Sequence, residues 1–140
     1  MRTGQLCTAL QLALSVCLSG AGLHAEDCPE LLSTIPGVNA ATVAAWGSYA
    51  YVGGIDVGGQ ASLRVVDVTD PTLPVVVGVV PIAEPIGDIA VSSRYAYLAA
   101  GGLRVVDVSI PESPVEIGFC YTSGCAASVT LSRNCAFVAS

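Results

Sequence analysis

Two aspartates recur at one place in a repeated phrase. Asp67 stands in Leu63-Arg64-Val65-Val66-Asp67-Val68, and Asp107 in the same six letters from Leu103 to Val108. A carboxylate at the end of an apolar run must be hydrogen-bonded or paired if it is buried. Thr69 or Ser109 follows within two residues, with proline beyond, so capping of the next turn is the chemistry these aspartates fit. Asp67-Val68-Thr69-Asp70 also spaces oxygens as a calcium loop does. It lacks the turn glycine and the later bidentate Glu, and Ile110 stands where a second copy would repeat Asp70. Arg64 and Arg104 point away from the aspartates by strand alternation, so they are solvated or paired across a boundary between units.

The stretch 53–62 holds Gly53, Gly54, Asp56, Gly58 and Gly59. Glycines cradle phosphate where a strand runs into a helix and a Lys follows; this chain contains no Lys. The stretch is expected to be a flexible edge loop and a candidate for recognition, which loops often carry. Cys120 and Cys125 flank the connection Tyr121-Thr122-Ser123-Gly124, short enough for a disulfide, with two free thiols as the alternative. Cys125 and Cys135 lie roughly 20 Å apart along a strand, beyond the reach of a bridge. Cys135 occupies the place of Tyr49 and Tyr95, as a small core residue would. Nothing supports a metal or other cofactor: the cysteines are unevenly spaced, and His24, the single histidine, falls in a leader expected to be removed. No Ser sits in Gly-x-Ser-x-Gly and no nucleophile–base pair is visible, so the chain reads as non-enzymatic.

The elements that position these residues follow from the repeat. From Leu63 to Leu103 is forty positions, and Pro71, Pro74 and Gly78 shift by the same step to Pro111, Pro114 and Gly118. Residues 87–92 read as a strand, Ser92-Ser93-Arg94 as a turn, and 95–100 as a second strand with aromatics two apart. Gly101-Gly102 is a two-residue hairpin signal, 103–108 a third strand, 109–114 a loop and 114–120 an outer strand. Tyr49, Tyr51, Tyr95, Tyr97 and Phe137 recur in register and mark unit cores. Four short antiparallel strands in about forty residues make one blade of a β-propeller. The third strand is apolar on both faces, as a blade covered on both sides requires and a two-sheet sandwich does not. An immunoglobulin-like sandwich is the competing architecture.

Blade one is expected over 39–84, blade two over 85–124 and part of a third over 125–140: an all-β, incomplete ring of about two and a half blades. Closed propellers have roughly four to eight blades, so the chain is expected to belong to a longer protein whose remaining blades are partners of these. Six extra residues fall in the 53–62 stretch of the first copy. Residues 1–25 have the three parts of a secretory signal peptide, and 26–38 read as an exposed acidic linker. Cleavage would leave four Arg against eleven acids, a net charge of −7. That sign argues against nucleic acid and anionic membranes, and no stable membrane span is expected after cleavage.

Tyr95-Ala96-Tyr97-Leu98, a glycine turn, Leu103 to Ser109 and Pro111-Glu112-Ser113-Pro114-Val115-Glu116-Ile117-Gly118 together resemble the LVIVD repeat, over 39–140. The resemblance implies a β-propeller of exported and surface-associated proteins of bacteria and archaea. It brings no catalytic residues. The expected function is therefore an exported, non-enzymatic module for binding a protein or glycan, located outside the cell, on its surface or in the periplasm. An exported propeller enzyme with its active residues in other blades, or a structural spacer, are the alternatives.

Overall fold

A computed structural model describes residues 31–140. The expected leader, Cys7, Cys17 and Cys28 lie outside the described residues. Ten strands and no helix are present among the described residues. Strands β1 (Val38–Trp46), β2 (Tyr49–Asp56), β3 (Ala61–Asp67) and β4 (Val75–Pro81) form one sheet in that order. Strands β5 (Asp88–Ser92), β6 (Tyr95–Ala99), β7 (Leu103–Asp107) and β8 (Val115–Cys120) form a second. Strands β9 (Ser128–Ser132) and β10 (Cys135–Ala139) pair as a third, and the ring is not closed. All pairings are antiparallel between consecutive strands, as propeller blades require. Strand β5 lies against β1 on one side and β9 on the other, so the sheets meet along their first strands.

The doubly apolar third strand explains the stacking. Leu63 and Val65 of β3 share a fully buried core with Leu98, Val106 and Val108 of the second sheet. Val66 turns the other way, into a smaller cluster with Ala50 and Val52. The second sheet's opposite face packs Tyr97, Ala99 and Leu103 with Val129, Ala136 and Val138 of the third. It is thus covered on both sides. Each fully buried Leu or Val contributes about 1.5–3 kcal/mol, which an isolated sheet would forfeit on at least one face.

Several details depart from the sequence reading. Ile35, expected in an exposed linker, packs onto the free face of the first sheet beside Val66 and Val68, and the Ser33 hydroxyl donates to the Pro71 carbonyl at 2.8 Å. The apolar face there attracts the nearest apolar residue of the lead-in. Phe137, expected in a core, is 56% exposed, whereas Tyr51 at the same repeat position is 2% exposed. Tyr51 faces the second sheet and Tyr97 the third; among the described residues no further sheet packs against Phe137. Cys135 is exposed rather than buried. Ala99 pairs with Leu103, so the turn has three residues, closed by the Ala100 N–H donating to the Gly102 carbonyl at 2.8 Å.

The extra residues of the first copy are mostly strand, not a loop. Gly53 and Gly54 lie in β2, paired with Thr42 and Ala40 on one side and Leu63 and Ser62 on the other. A Cβ on Gly54 would stand 2.5 Å from the Asn39 carbonyl oxygen, beside the bulge between Ala40 and Thr42. Here glycine admits a second backbone, and the insertion lengthens three strands.

Gly78 and Gly118 are the same sequence landmark in two environments. A side chain on Gly78 would run into the Pro111 carbonyl and the Pro114 ring of the next sheet's loop, whereas one on Gly118 would meet only Val105 Cβ at 3.9 Å. Gly78→Ala is expected to destabilise by about 1–3 kcal/mol through overpacking. Gly118→Ala should be neutral or slightly stabilising. Urea denaturation of the two variants checks the asymmetry; equal losses would refute it.

Candidate functional site

Stacking the three sheets puts Thr42, Asp88 and Ser128 at one repeat position, on the first strand of each. Asp88 joins them. Its carboxylate accepts from the Ser128 hydroxyl at 2.7 Å, the Val129 N–H at 3.0 Å and its neighbour Ile89 N–H at 2.9 Å. Thr42 of the first sheet also helps to lower this carboxyl. Burial pushes the Asp88 carboxyl upward, but these donors outweigh it and leave it below the ordinary range. The arrangement ties the first strands of the second and third sheets to one charge.

Asp67 and Asp107 perform the same local task. The Thr69 N–H donates to Asp67 at 2.8 Å and the Ser109 N–H to Asp107 at 2.9 Å. Ser109 and then Arg94, which reaches Asp107 at 2.9 Å, hold that carboxyl down to about 2. Thr69 lowers Asp67 likewise. Arg104 is paired within its own sheet, not across a boundary: Nη1 meets Glu116 at 2.8 Å and Nε donates to the Ala100 carbonyl at 2.9 Å. The reason is register, since Glu116 faces Val106 on the adjoining outer strand. In the first sheet Val76 holds the place of Glu116, and Arg64 Nη1 is buried with no hydrogen-bond partner among the described residues.

Beyond this scaffold the outer strands expose apolar side chains: Val75 and Val79 on β4, Val115, Ile117 and Phe119 on β8, and Tyr121 just after it. The Phe119 and Tyr121 rings meet edge to face at 4.5 Å, and the Arg104 guanidinium lies 4.4 Å from the Phe119 centroid. Tyr121 is 83% exposed. A cation beneath an aromatic pair fixes the rings without covering them. The Gly-rich stretch contributes only a four-residue tip, 57–60. Asp56 accepts there from the Gly58 and Gln60 N–H groups at 2.9 and 3.0 Å, and Val57 is exposed at the apex. Of the expected recognition loop, Gly53, Gly54 and Asp56 are strand residues, while Gly58 and Gly59 remain in the turn.

The LVIVD repeat family model matches residues 37–81 and 86–122. The chain belongs to the LVIVD repeat family. The matched segments coincide with the two four-stranded sheets, so one LVIVD repeat is one blade. A comparison with curated proteins gives no match.

The LVIVD repeat also explains the cysteines. Cys120, Cys125 and Cys135 are free and exposed, and the expected Cys120–Cys125 bridge is absent. The connection after β8 carries the chain from the outer strand of one blade to the first strand of the next. It must cross about three strand spacings, roughly 14 Å, so it is drawn out rather than doubled back. Sequence reading missed Asp88. The signal was present: Thr42, Asp88 and Ser128, each able to hydrogen-bond, share one repeat position inside otherwise apolar strands.

Carboxyls lowered in the fold bind protons more weakly than in the unfolded chain. Their stabilisation is therefore full above the ordinary value of 3.8 and lost as pH falls through 3.8 toward Asp107's value of about 2. A thermal midpoint that drops across this window, and drops less in Asp107→Asn, is the expected result; a midpoint insensitive to acid would contradict it. Val76→Glu should supply Arg64 with the partner that Arg104 has, raising stability by about 0.5–1.5 kcal/mol in urea denaturation.

Proposed function

We propose that this LVIVD-repeat chain is an exported, non-enzymatic module that binds a protein or glycan outside the cell. One observation carries the reading. The aspartates that recur with the repeat, Asp67 and Asp107, are engaged in closing turns, while Phe119 and Tyr121 are held outward as a pre-oriented aromatic pair at the end of an outer strand. Exposed apolar surface on a folded domain marks interaction sites. Rings whose positions are already fixed give up little conformational entropy on binding. The leader-like residues 1–25 and the acidic balance support an extracellular setting and a partner that is not a polyanion.

The test is binding of the purified chain to a glycan array and to whole-cell surfaces. Phe119→Ala with Tyr121→Ala should lower affinity at least about tenfold, the scale of an aromatic anchor, with the thermal midpoint little changed. Binding that survives both changes would place the contact elsewhere. Hydrolysis or group transfer by the wild-type chain on those ligands would overturn the non-enzymatic reading.

A further inference from the structure

We propose that the site at Phe119 and Tyr121 takes an arginine side chain displayed on a partner protein, with the Glu84 carboxylate as its counter-charge. The proposal rests on the aromatic pair being the contact surface and adds the chemistry of the ligand.

Placement makes the first argument. Phe119 pairs with Arg104 across β7 and β8, and residues opposite one another share a face. Val106, two residues along, is on that face and is buried in the core with Leu63 and Val65. Phe119, and Tyr121 in contact with it, therefore lie on the side that turns to the first sheet. That sheet is a complete four-stranded neighbour, and both rings stay exposed beside it. The connection from β4 to β5 crosses the same boundary. Ile82 and Ile86 anchor it in the core, and the Ile82 carbonyl accepts from Gln60 Nε2 at 3.1 Å. Glu84 stands exposed between these anchors. A Cβ on Gly101 would lie 2.7 Å from Glu84 Cγ, and one on Gly102 would lie 2.8 Å from Phe119 Cε2. Two adjacent glycines thus admit an acidic side chain and an aromatic ring against one turn, with bare backbone between them.

Charge makes the second argument. Arg104 and Glu116 neutralise one another beside Phe119, and Arg94 is engaged by Asp107. Glu84 enters neither ion pair, so its charge is the uncompensated one next to the rings. Arg104 already occupies the Phe119 ring at 4.4 Å, whereas Tyr121 leaves most of its surface to solvent. Aromatic faces attract cations, arginine most often. A guanidinium can lie flat on a ring while its fork of donors reaches a carboxylate, which an ammonium does less well. A neutral sugar would also stack on Tyr121 but would gain nothing from the charge of Glu84, and an anionic ligand would be repelled by it. The net charge of −6 favours encounter with a basic partner at longer range.

Amide NMR of the isotopically labelled full chain, titrated with N-acetyl-Gly-Arg-Gly amide, tests this. The control peptide carries citrulline, which keeps the shape of arginine and replaces the guanidinium by a neutral urea. The arginine peptide is expected to shift the Gly101, Gly102 and Tyr121 amides and to bind about five- to tenfold more tightly than the citrulline peptide. That preference should shrink as salt is added. Glu84→Gln should weaken arginine binding about threefold, leave citrulline binding unchanged and leave the thermal midpoint in place. Tyr121→Ala should weaken both peptides. Equal binding of the two peptides, arginine binding unchanged in Glu84→Gln, or shifts confined to other carboxylates would each overturn the proposal. Array ligands that lose binding in Phe119→Ala with Tyr121→Ala, while arginine is not preferred to citrulline, would leave the aromatic contact standing and remove only the arginine assignment. Array and peptide binding that both survive the loss of the two rings would remove both.

Discussion

The third strands of the first two sheets are apolar on both faces, and that constraint governs the rest. A third strand such as β7 cannot turn one side to water without exposing branched aliphatic residues. The sheets therefore stack face to face, meeting along β1, β5 and β9. The second sheet has neighbours on both sides. The first sheet recruits Ile35 from the lead-in to its open face, and Phe137 on the third stays exposed. Burial in this fold is set by whether a neighbour stands opposite, more than by residue type.

Close stacking constrains the polar and glycine positions in turn. Where backbones from different sheets or strands approach, only glycine fits, as at Gly54 and Gly78. Where polar groups meet at the line of first strands, they must satisfy one another, and Asp88 does so by drawing donors from the third sheet. Asp67 and Asp107 serve within their own sheets, each tying off the turn that follows its strand. These carboxylates are part of the frame. The exposed aromatic pair lies at the periphery, on β8 and just after it.

The repeat copies also show how one pattern tolerates unequal detail. Arg104 has Glu116 and the Phe119 ring, while Arg64, in the same register, has neither. Arg94 holds Asp107 from the preceding turn, where the first sheet has Ser48. A blade needs its apolar face and its turn-closing aspartate; ion pairs decorate individual copies. This is why the arginines, although they recur, give no common function to the repeat.

The amino-acid sequence alone determined the strands, their order within each blade and the blade architecture. These depend on short-range periodicity and on a forty-residue identity that needs no partner to be seen. It also placed the aspartates in turns, because an aspartate bonding two residues ahead is a local event. Only the tertiary structure decided the rest. It turned the glycine stretch into longer strands, left Cys120 and Cys125 apart, kept Arg104 within its own blade and made Asp88 the clamp between blades. Each of these depends on what stands across a sheet boundary, and that distance is not written in the spacing of residues along one chain.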